Sequence, residues 1–300
     1  MITNELPPGF QAQSLGLSAR DIRVVEVIRK RKTHSVYRLT CETGQYVLKW
    51  FEDAPAKEIN CYALLRRYGV PTLPVVRQTD HAILIEDLST SRSWRLATEE
   101  DAGSVAFGKG LATWYKRLHA AGYEAMGDPE SRPDFLQDWV TDLTRERLEA
   151  VGAKLDIGHL QPWTRAVESI ESLREAFRRL RQTINYNDFY SGNAAVSRGE
   201  DDVQVVVFDY EGMVLGPAYT DYRNVSNSLL GEGRASFQDA YGPCDPREAV
   251  LDKPLAVIYA ISCAAEYPAL PGWARECLAA VEKGSLGTDI GLALSPMNVR

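Results

Sequence analysis

The densest run of polar side chains in the sequence, Asn185-Tyr-Asn-Asp188-Phe-Tyr-Ser-Gly-Asn193, sets an aspartate and an asparagine five residues apart on what reads as a tight loop. Asp209 follows Asn193 sixteen residues later, in Phe208-Asp209-Tyr-Glu211. Oxygen donors of this kind, brought together from a loop and the end of a neighbouring strand, suit a hard cation. Phosphoryl transfer uses such a set: ligands for a cation that neutralises phosphate charge, and one unliganded carboxylate that takes the proton of the attacking group. The same residue types also build ordinary turns, so the loop acquires meaning only with the residues that would face it. Lys49 lies centrally in the apolar segment Tyr46-Val-Leu-Lys-Trp-Phe51, where an ammonium group wants a partner, and Glu58 on the following helix is placed to supply one. A lysine held in this way can reach the α and β phosphates of a nucleotide. Alone, it would better fit a solvent-facing position of a half-exposed strand.

The elements that must position these residues follow from periodicity. Alternation over Ile22 to Ile28, Val36 to Thr40 and Tyr46 to Phe51 predicts an antiparallel meander, with Glu42-Thr-Gly44 as its second turn. A helix over about 56–68 carries Ile59, Tyr62 and Ala63 on one face and stops at Gly69. His81 to Ile85 reads as a strand, and the polar stretch Glu86-Asp-Leu-Ser-Thr-Ser91 as a hinge.

Beyond the hinge the period changes to 3.6. Thr98-Glu-Glu-Asp101 looks like a capping box for a helix bearing Leu111, Tyr115 and Leu118, and a second helix is expected to hold Leu136, Val140 and Leu143. The stripe Ala166, Ile170, Leu173, Phe177 and Leu180 marks a third, with arginines at its C-terminal end. Ala194 to Val196 and Val203 to Phe208 predict a hairpin whose turn is Ser197 to Asp202. Two further helices are expected over 255–267, opened by Pro254, and over 273–283.

Composition limits the alternatives. The chain of 300 residues has 45% hydrophobic and 25% charged residues, the profile of a globular protein rather than a disordered one. Its net charge of -7 is unlike a general nucleic-acid surface. The charge is uneven: residues 1–87 hold 12 Lys/Arg against 10 Asp/Glu, while the remaining residues hold 22 against 31. The acidic part suits a cationic partner. No apolar run has the length of a membrane span and the N-terminus lacks a basic flank followed by an apolar segment, so neither a membrane span nor a secretion signal is expected. Five scattered cysteines without Cys-x-x-Cys spacing fit a reduced, cytoplasmic protein without structural zinc.

From about Ile22 to Asn224 the order of these features resembles the protein-kinase-like fold, and more closely the aminoglycoside phosphotransferase and choline kinase-like family of small-molecule kinases. The resemblance implies an α+β, bilobal architecture: an antiparallel-sheet N-terminal lobe with one helix (residues 1–87) and a mainly helical C-terminal lobe (92–300), joined by the hinge at 86–91. It implies that Lys49 and Glu58 match the family's strand lysine and helix glutamate, and that Glu86-Asp-Leu88 matches the linker that hydrogen-bonds adenine. Asp188 then falls on the catalytic base, and Asn193 and Asp209 on ligands of Mg²⁺. The co-substrate is ATP or GTP and the acceptor a small molecule, with aminoglycosides and choline-like amines fitting the acidic part of the chain. Trp114 to Gly122 looks like the family's Leu-His-Ala helix end and Gly216 to Asp221 like its Gly-Asp-Pro-x-x-Asp stretch, and structural roles are expected for His119 and Asp221.

Two positions depart from the family's pattern. Tyr186-Asn187 stands where the family has His-Gly, and the loop Arg29-Lys-Arg-Lys-Thr-His-Ser35 contains no glycine, although close backbone approach to phosphate favours one. Its basic residues and the Thr33 and Ser35 hydroxyls offer another way to hold phosphates. These departures are also what a catalytically silent relative that only binds nucleotide or a small molecule would show. A ketosamine or other repair kinase would share the same machinery and differ in its acceptor pocket. No activation segment of the kind that receives a protein substrate is visible after Asp209.

Overall fold

Successive side chains of a strand point to opposite faces, and the N-terminal sheet uses that alternation to separate a core from a cavity. The computed structural model describes residues 6–18, 20–53, 56–128, 132–199 and 203–295. Strands β1 (Ile22–Lys30), β2 (His34–Cys41) and β3 (Gly44–Phe51) form the expected meander; helix α1 (Lys57–Arg67), β4 (Val75–Gln78) and β5 (Ala82–Glu86) follow. The five strands make one antiparallel sheet in the order β1-β2-β3-β5-β4. Tyr37, Leu39, Leu48 and Leu84 join Leu15 and Val25 in a buried cluster on one face. Val36, Val47, Lys49, Ile83 and Ile85, one residue out of phase, line a cavity on the other.

The chain continues through β6 (Trp94–Leu96), α2 (Val105–Gly127), α3 (Arg145–Lys154), α4 (Gln161–Arg179), β7 (Thr183–Asn185), β8 (Ala194–Ser197), β9 (Val205–Val207), β10 (Val214–Gly216), α5 (Tyr219–Ser228), α6 (Gly231–Tyr241), α7 (Pro246–Ala264), α8 (Arg275–Glu282) and α9 (Ser285–Ala293). Strands β6, β8 and β9 form a three-stranded antiparallel sheet, and β7 pairs with β10. The expected hairpin is β8–β9; residues 200–202 of its turn lie outside the described residues.

Packing divides the chain into two compact units: residues 1–121, 188–213 and 224–241, and residues 122–187, 214–223 and 242–300. Residues 88–121, 188–213 and 224–241 thus group with the five-stranded sheet.

The second unit is built on an apolar stripe of α4. Trp163, Ala166, Ile170, Leu173 and Phe177 pack with Leu251, Leu255, Ile258 and Ile261 of α7 and with Leu286 and Ile290 of α9. Each such fully buried large side chain contributes about 1.5–3 kcal/mol. Four local expectations are corrected. Residues 132–144 are not a helix, although Leu136, Val140 and Leu143 are buried; Leu215 N–H donates to the Gln137 carbonyl (2.9 Å) and Trp139 N–H to that of Leu215 (3.4 Å), so the backbone there is bonded to β10. Pro254 lies inside α7 rather than at its start. The helix opens at Pro246, capped by the Asp245 carboxylate accepting from Arg247 N–H (2.9 Å), and its buried face extends upstream of Pro254 through Leu251. The Thr98–Asp101 box does form, Thr98 N–H donating to the Asp101 carboxylate (2.8 Å), but it opens a short 3-10 turn at Glu100–Gly103, ahead of α2. Within α2 the segment from Trp114 to Gly122 is not a helix end, since the helix continues to Gly127. Among the described residues no helix is long and apolar enough to cross a membrane.

Candidate active site

The site lies within the first unit and grows from three strands and one helix. In β3, Lys49 pairs with Val36 of β2 and Ile83 of β5, so its side chain leaves the sheet on the cavity face. Its Nζ donates to Glu58 Oε2 and to Asp209 Oδ1, both at 2.5 Å. Glu58 sits in the first turn of α1, where the helix dipole favours a carboxylate. The Tyr62 ring of the same helix meets the ring of Tyr210 edge-on at 4.7 Å, and the Tyr210 hydroxyl donates to the Val207 carbonyl (2.5 Å). Helix α1 and the turn after Asp209 are thereby locked together, which fixes two carboxylates on one ammonium.

The sixteen-residue interval between Asn193 and Asp209 is the length of the β8–β9 hairpin. Ala194 pairs with Val207, and Phe208 N–H donates to the Asn193 carbonyl (2.9 Å), so the two residues end adjacent strands side by side. Asn193 is buried, and its Nδ2 donates to the Asp188 carbonyl (3.2 Å), closing the loop across its five-residue span. Phe189 anchors the loop: its carbonyl accepts from Ser228 Oγ (3.2 Å) and its ring packs edge-on against Tyr115. Asp209 itself has left-handed backbone geometry, φ 67° and ψ 72°, which aspartate tolerates better than most residues.

Burial and charge act on these groups in opposite senses. Burial pushes the Glu58 carboxyl up to about 7 against the pull of the Lys49 ammonium. For Lys49, burial lowers the pKa, but Glu58 and Asp209 more than offset it, so the group stands above its ordinary value and remains charged. Asp188 belongs to an exposed residue, yet the protein around its carboxyl and the nearby Asp209 and Glu211 carboxylates raise its pKa, opposed by Arg29 and Lys49.

Lys49, Glu58, Asn193 and Asp209 all line one cavity of about 180 Å³, whose remaining wall mixes aliphatic side chains with aromatic and basic ones. Ser35 does not join them. It shares the strand face of Tyr37 and Leu39, pairs with Trp50, which packs on the same core, and is buried with its hydroxyl lacking a partner among the described residues. Glu86 and Leu88 are outside the cavity lining; between them Asp87 is fixed by Arg38 Nε (2.5 Å) and by its N–H donating to the Gln45 carbonyl (3.0 Å). Sequence reasoning assigned no role to Tyr190 or Glu211 and did not single out His34. Tyr190 and His34 line the cavity, and Glu211 contacts His34. His34 was discoverable, since it shares strand parity with Val36.

The expected structural residues are in place. His119 is buried with Nδ1 2.7 Å from the Tyr241 hydroxyl. Asp221 accepts the backbone N–H groups of Tyr186 and Asn187, each at 2.8 Å. Tyr186, which stands at the first of the two departing positions, is fully buried.

Comparison with solved structures places this architecture among known kinases of small molecules. The spectinomycin phosphotransferase APH(9)-Ia in complex with ADP and spectinomycin aligns over 93% of this chain and 94% of its own at 13% identity, with a TM-score of 0.56. The ADP-bound aminoglycoside phosphotransferase APH(2'')-Ib aligns over 91% and 95% at 16% identity (TM-score 0.54), and the choline kinase of Cryptosporidium parvum over 94% and 93% at 11% (TM-score 0.54). At such identities the likeness establishes the fold, which is α+β and protein-kinase-like. No curated protein sequence matches the chain. A profile of the phosphotransferase enzyme family matches residues 24–251, and the chain belongs to that family.

Proposed function

We propose that the protein is a small-molecule kinase that transfers the γ-phosphate of ATP or GTP to an acceptor hydroxyl. The observation that carries this reading is Lys49, bound at once to Glu58 and Asp209 in a cavity lined by both aliphatic and charged side chains. A nucleotide offers a surface for each, a flat base and an anionic tail. In this reading the base lies against Val36, Val47 and Ile83, with the backbone of Glu86 and Leu88 as its hydrogen-bonding edge, and Lys49 holds the α and β phosphates.

A divalent cation fits the remaining donors. Asp209 supplies a carboxylate, and Asn193 supplies its amide oxygen, since its Nδ2 is engaged by the Asp188 carbonyl. Mg²⁺ held by these residues would neutralise the charge of the transferring phosphate. Asp188 orients the acceptor hydroxyl and takes its proton, and its raised pKa makes it a stronger base than an ordinary aspartate. Tyr186 replaces a scaffold residue and removes no reacting group, which favours an active enzyme over a silent relative. Residues 1–87 would then serve the nucleotide and 92–300 the chemistry and the acceptor. The chain's net charge of -7 favours an amine-bearing sugar or alcohol as acceptor.

Calorimetric titration of ATP and GTP, first with magnesium and then with EDTA, tests the reading. Magnesium-dependent binding supports it and leads to an acceptor screen beginning with aminoglycosides. Absence of binding to either nucleotide overturns it, and binding without turnover on any acceptor favours the silent relative.

A further inference from the structure

The turn between β1 and β2 is short and closed on itself. Arg31 N–H donates to the His34 carbonyl (2.8 Å), Glu52 N–H to that of Thr33 (3.0 Å), and Lys30 pairs with Ser35. No glycine opens it into a loop lined by backbone amides. Its side chains are arranged differently. A register shift between Val27 and Arg29 turns both Ile28 and Arg29 toward the cavity, a local re-aiming that bulges produce. Among the described residues the Arg29 guanidinium has no hydrogen-bond or ion-pair partner, and it acts electrostatically on both His34 and Asp188.

Beside it an anion is already bound, and it belongs to the protein. Thr33 Oγ1 donates to Glu211 Oε1 (3.3 Å), and His34 Nδ1 lies 3.1 Å from Glu211 Oε2. Thr33 Oγ1 and His34 Nδ1, themselves 3.2 Å apart, thus each face one oxygen of the same carboxylate, and because a carboxylate only accepts, it selects the His34 tautomer with its proton on Nδ1. The donors do not distinguish a carboxylate from two oxygens of a phosphate. The Glu211 side chain is 45% exposed, on the short turn Tyr210–Gly212, so it can leave these donors without opening a core.

We propose that Arg29, Thr33 and His34 form a side-chain subsite for the phosphates of a nucleotide, and that the Glu211 carboxylate is its internal occupant, displaced when the nucleotide binds. The proposal rests on the nucleotide reading above. Glu211 competes with the ligand for the same hydrogen-bond donors, so its removal favours binding of the phosphates and is indifferent to the base.

The test is calorimetry with ADP and with adenosine, in EDTA, on the wild type, Glu211→Gln, Thr33→Val and the double variant. Loss of one competing hydrogen-bonded contact predicts that Glu211→Gln tightens ADP binding by roughly threefold to tenfold, with adenosine unchanged. Thr33→Val weakens ADP binding, and in that background the gain from Glu211→Gln shrinks to less than about twofold, because the two groups are coupled. Arg29→Met, at an exposed position, weakens ADP and spares adenosine. An undiminished gain in the Thr33→Val background would mean that a negative charge was merely removed, and overturns the displacement. So does an ADP affinity in Glu211→Gln that is unchanged or lower. Adenosine binding as tight as ADP in every protein overturns the subsite and leaves the nucleotide reading standing. Binding of neither ligand by any of the proteins overturns both.

Discussion

Glu58 in the first unit and Asp221 in the second are carboxylates sealed from solvent, and they are satisfied in opposite ways. Glu58 faces the tip of a lysine side chain, which it shares with Asp209. Asp221 faces backbone: the amides of Tyr186 and Asn187, immediately before Asp188 in the chain, each donate to one of its oxygens. A partner at the end of four methylene groups can be pulled away by a competing anion. A pair of backbone amides moves only if the chain does. One protein thus uses the same buried charge for two purposes, a releasable contact where ligand must enter and a fixed one where geometry must persist.

Substitutions separate the two kinds of carboxylate. Asp188→Asn removes the proposed base while keeping shape, and turnover is expected to fall by about 10²–10⁴ with the thermal midpoint and nucleotide affinity nearly unchanged; steady-state kinetics beside a melting curve read both. If Asp221 is structural, Asp221→Ala shows the reverse, a loss of about 3 kcal/mol from two orphaned amides, visible as a lower urea midpoint. A stable Asp221→Ala protein would erase the contrast. Asp209→Ala is expected to cost about tenfold in nucleotide affinity with magnesium, the order of one charge-assisted contact, and nothing in EDTA, so that titrations in the two conditions coincide.

Glu58→Gln probes the releasable contact through pH. The folded-state pKa of Glu58 is raised from 4.5 to about 7, so the native protein binds that proton more tightly than the unfolded chain. The resulting stability is complete below about pH 4.5 and lost as the pH rises through about 7. Denaturant melts of the wild type at pH 5 and pH 8 should therefore differ by more than those of Glu58→Gln; equal differences would remove Glu58 as the cause. The smallest effect is expected at Thr144, whose hydroxyl accepts Arg147 N–H (3.2 Å) as the cap of α3. Thr144→Ala should cost about 1 kcal/mol of stability and leave nucleotide affinity untouched.

Much of the site was legible because its spacing is set by local geometry. Asp188 to Asn193 spans one closed loop, Asn193 to Asp209 one hairpin, and Lys49 to Glu58 the end of a strand and the first turn of the next helix. What escaped depends on parity and on partners far along the chain. Ser35 is one residue out of phase with His34 and Val36, and in a strand that single step exchanges core for cavity. The bulge that re-aims Arg29 leaves no mark in residue type. Residues 132–144 have a helical spacing of apolar side chains, but β10, some eighty residues later, takes the Gln137 carbonyl and the Trp139 N–H, and short local turns take the Asp134, Leu136, Thr141 and Leu143 N–H groups. At Pro254 the rule that proline opens helices yielded to a buried face running through it.

The left-handed backbone at Asp209 narrows what that position can become. Its carboxylate, bound to Lys49, is also the proposed metal ligand, so metal-dependent binding excludes every uncharged residue, and its φ of 67° penalises side chains other than glycine, asparagine and aspartate. The two lists share one member. Asp209→Glu keeps the charge and loses the fit, while Asp209→Asn keeps the fit and loses the charge. A fully randomised codon selected for folding and metal-dependent nucleotide binding is expected to return aspartate alone, whereas codon 58, helical and constrained by charge only, has a second solution to explore.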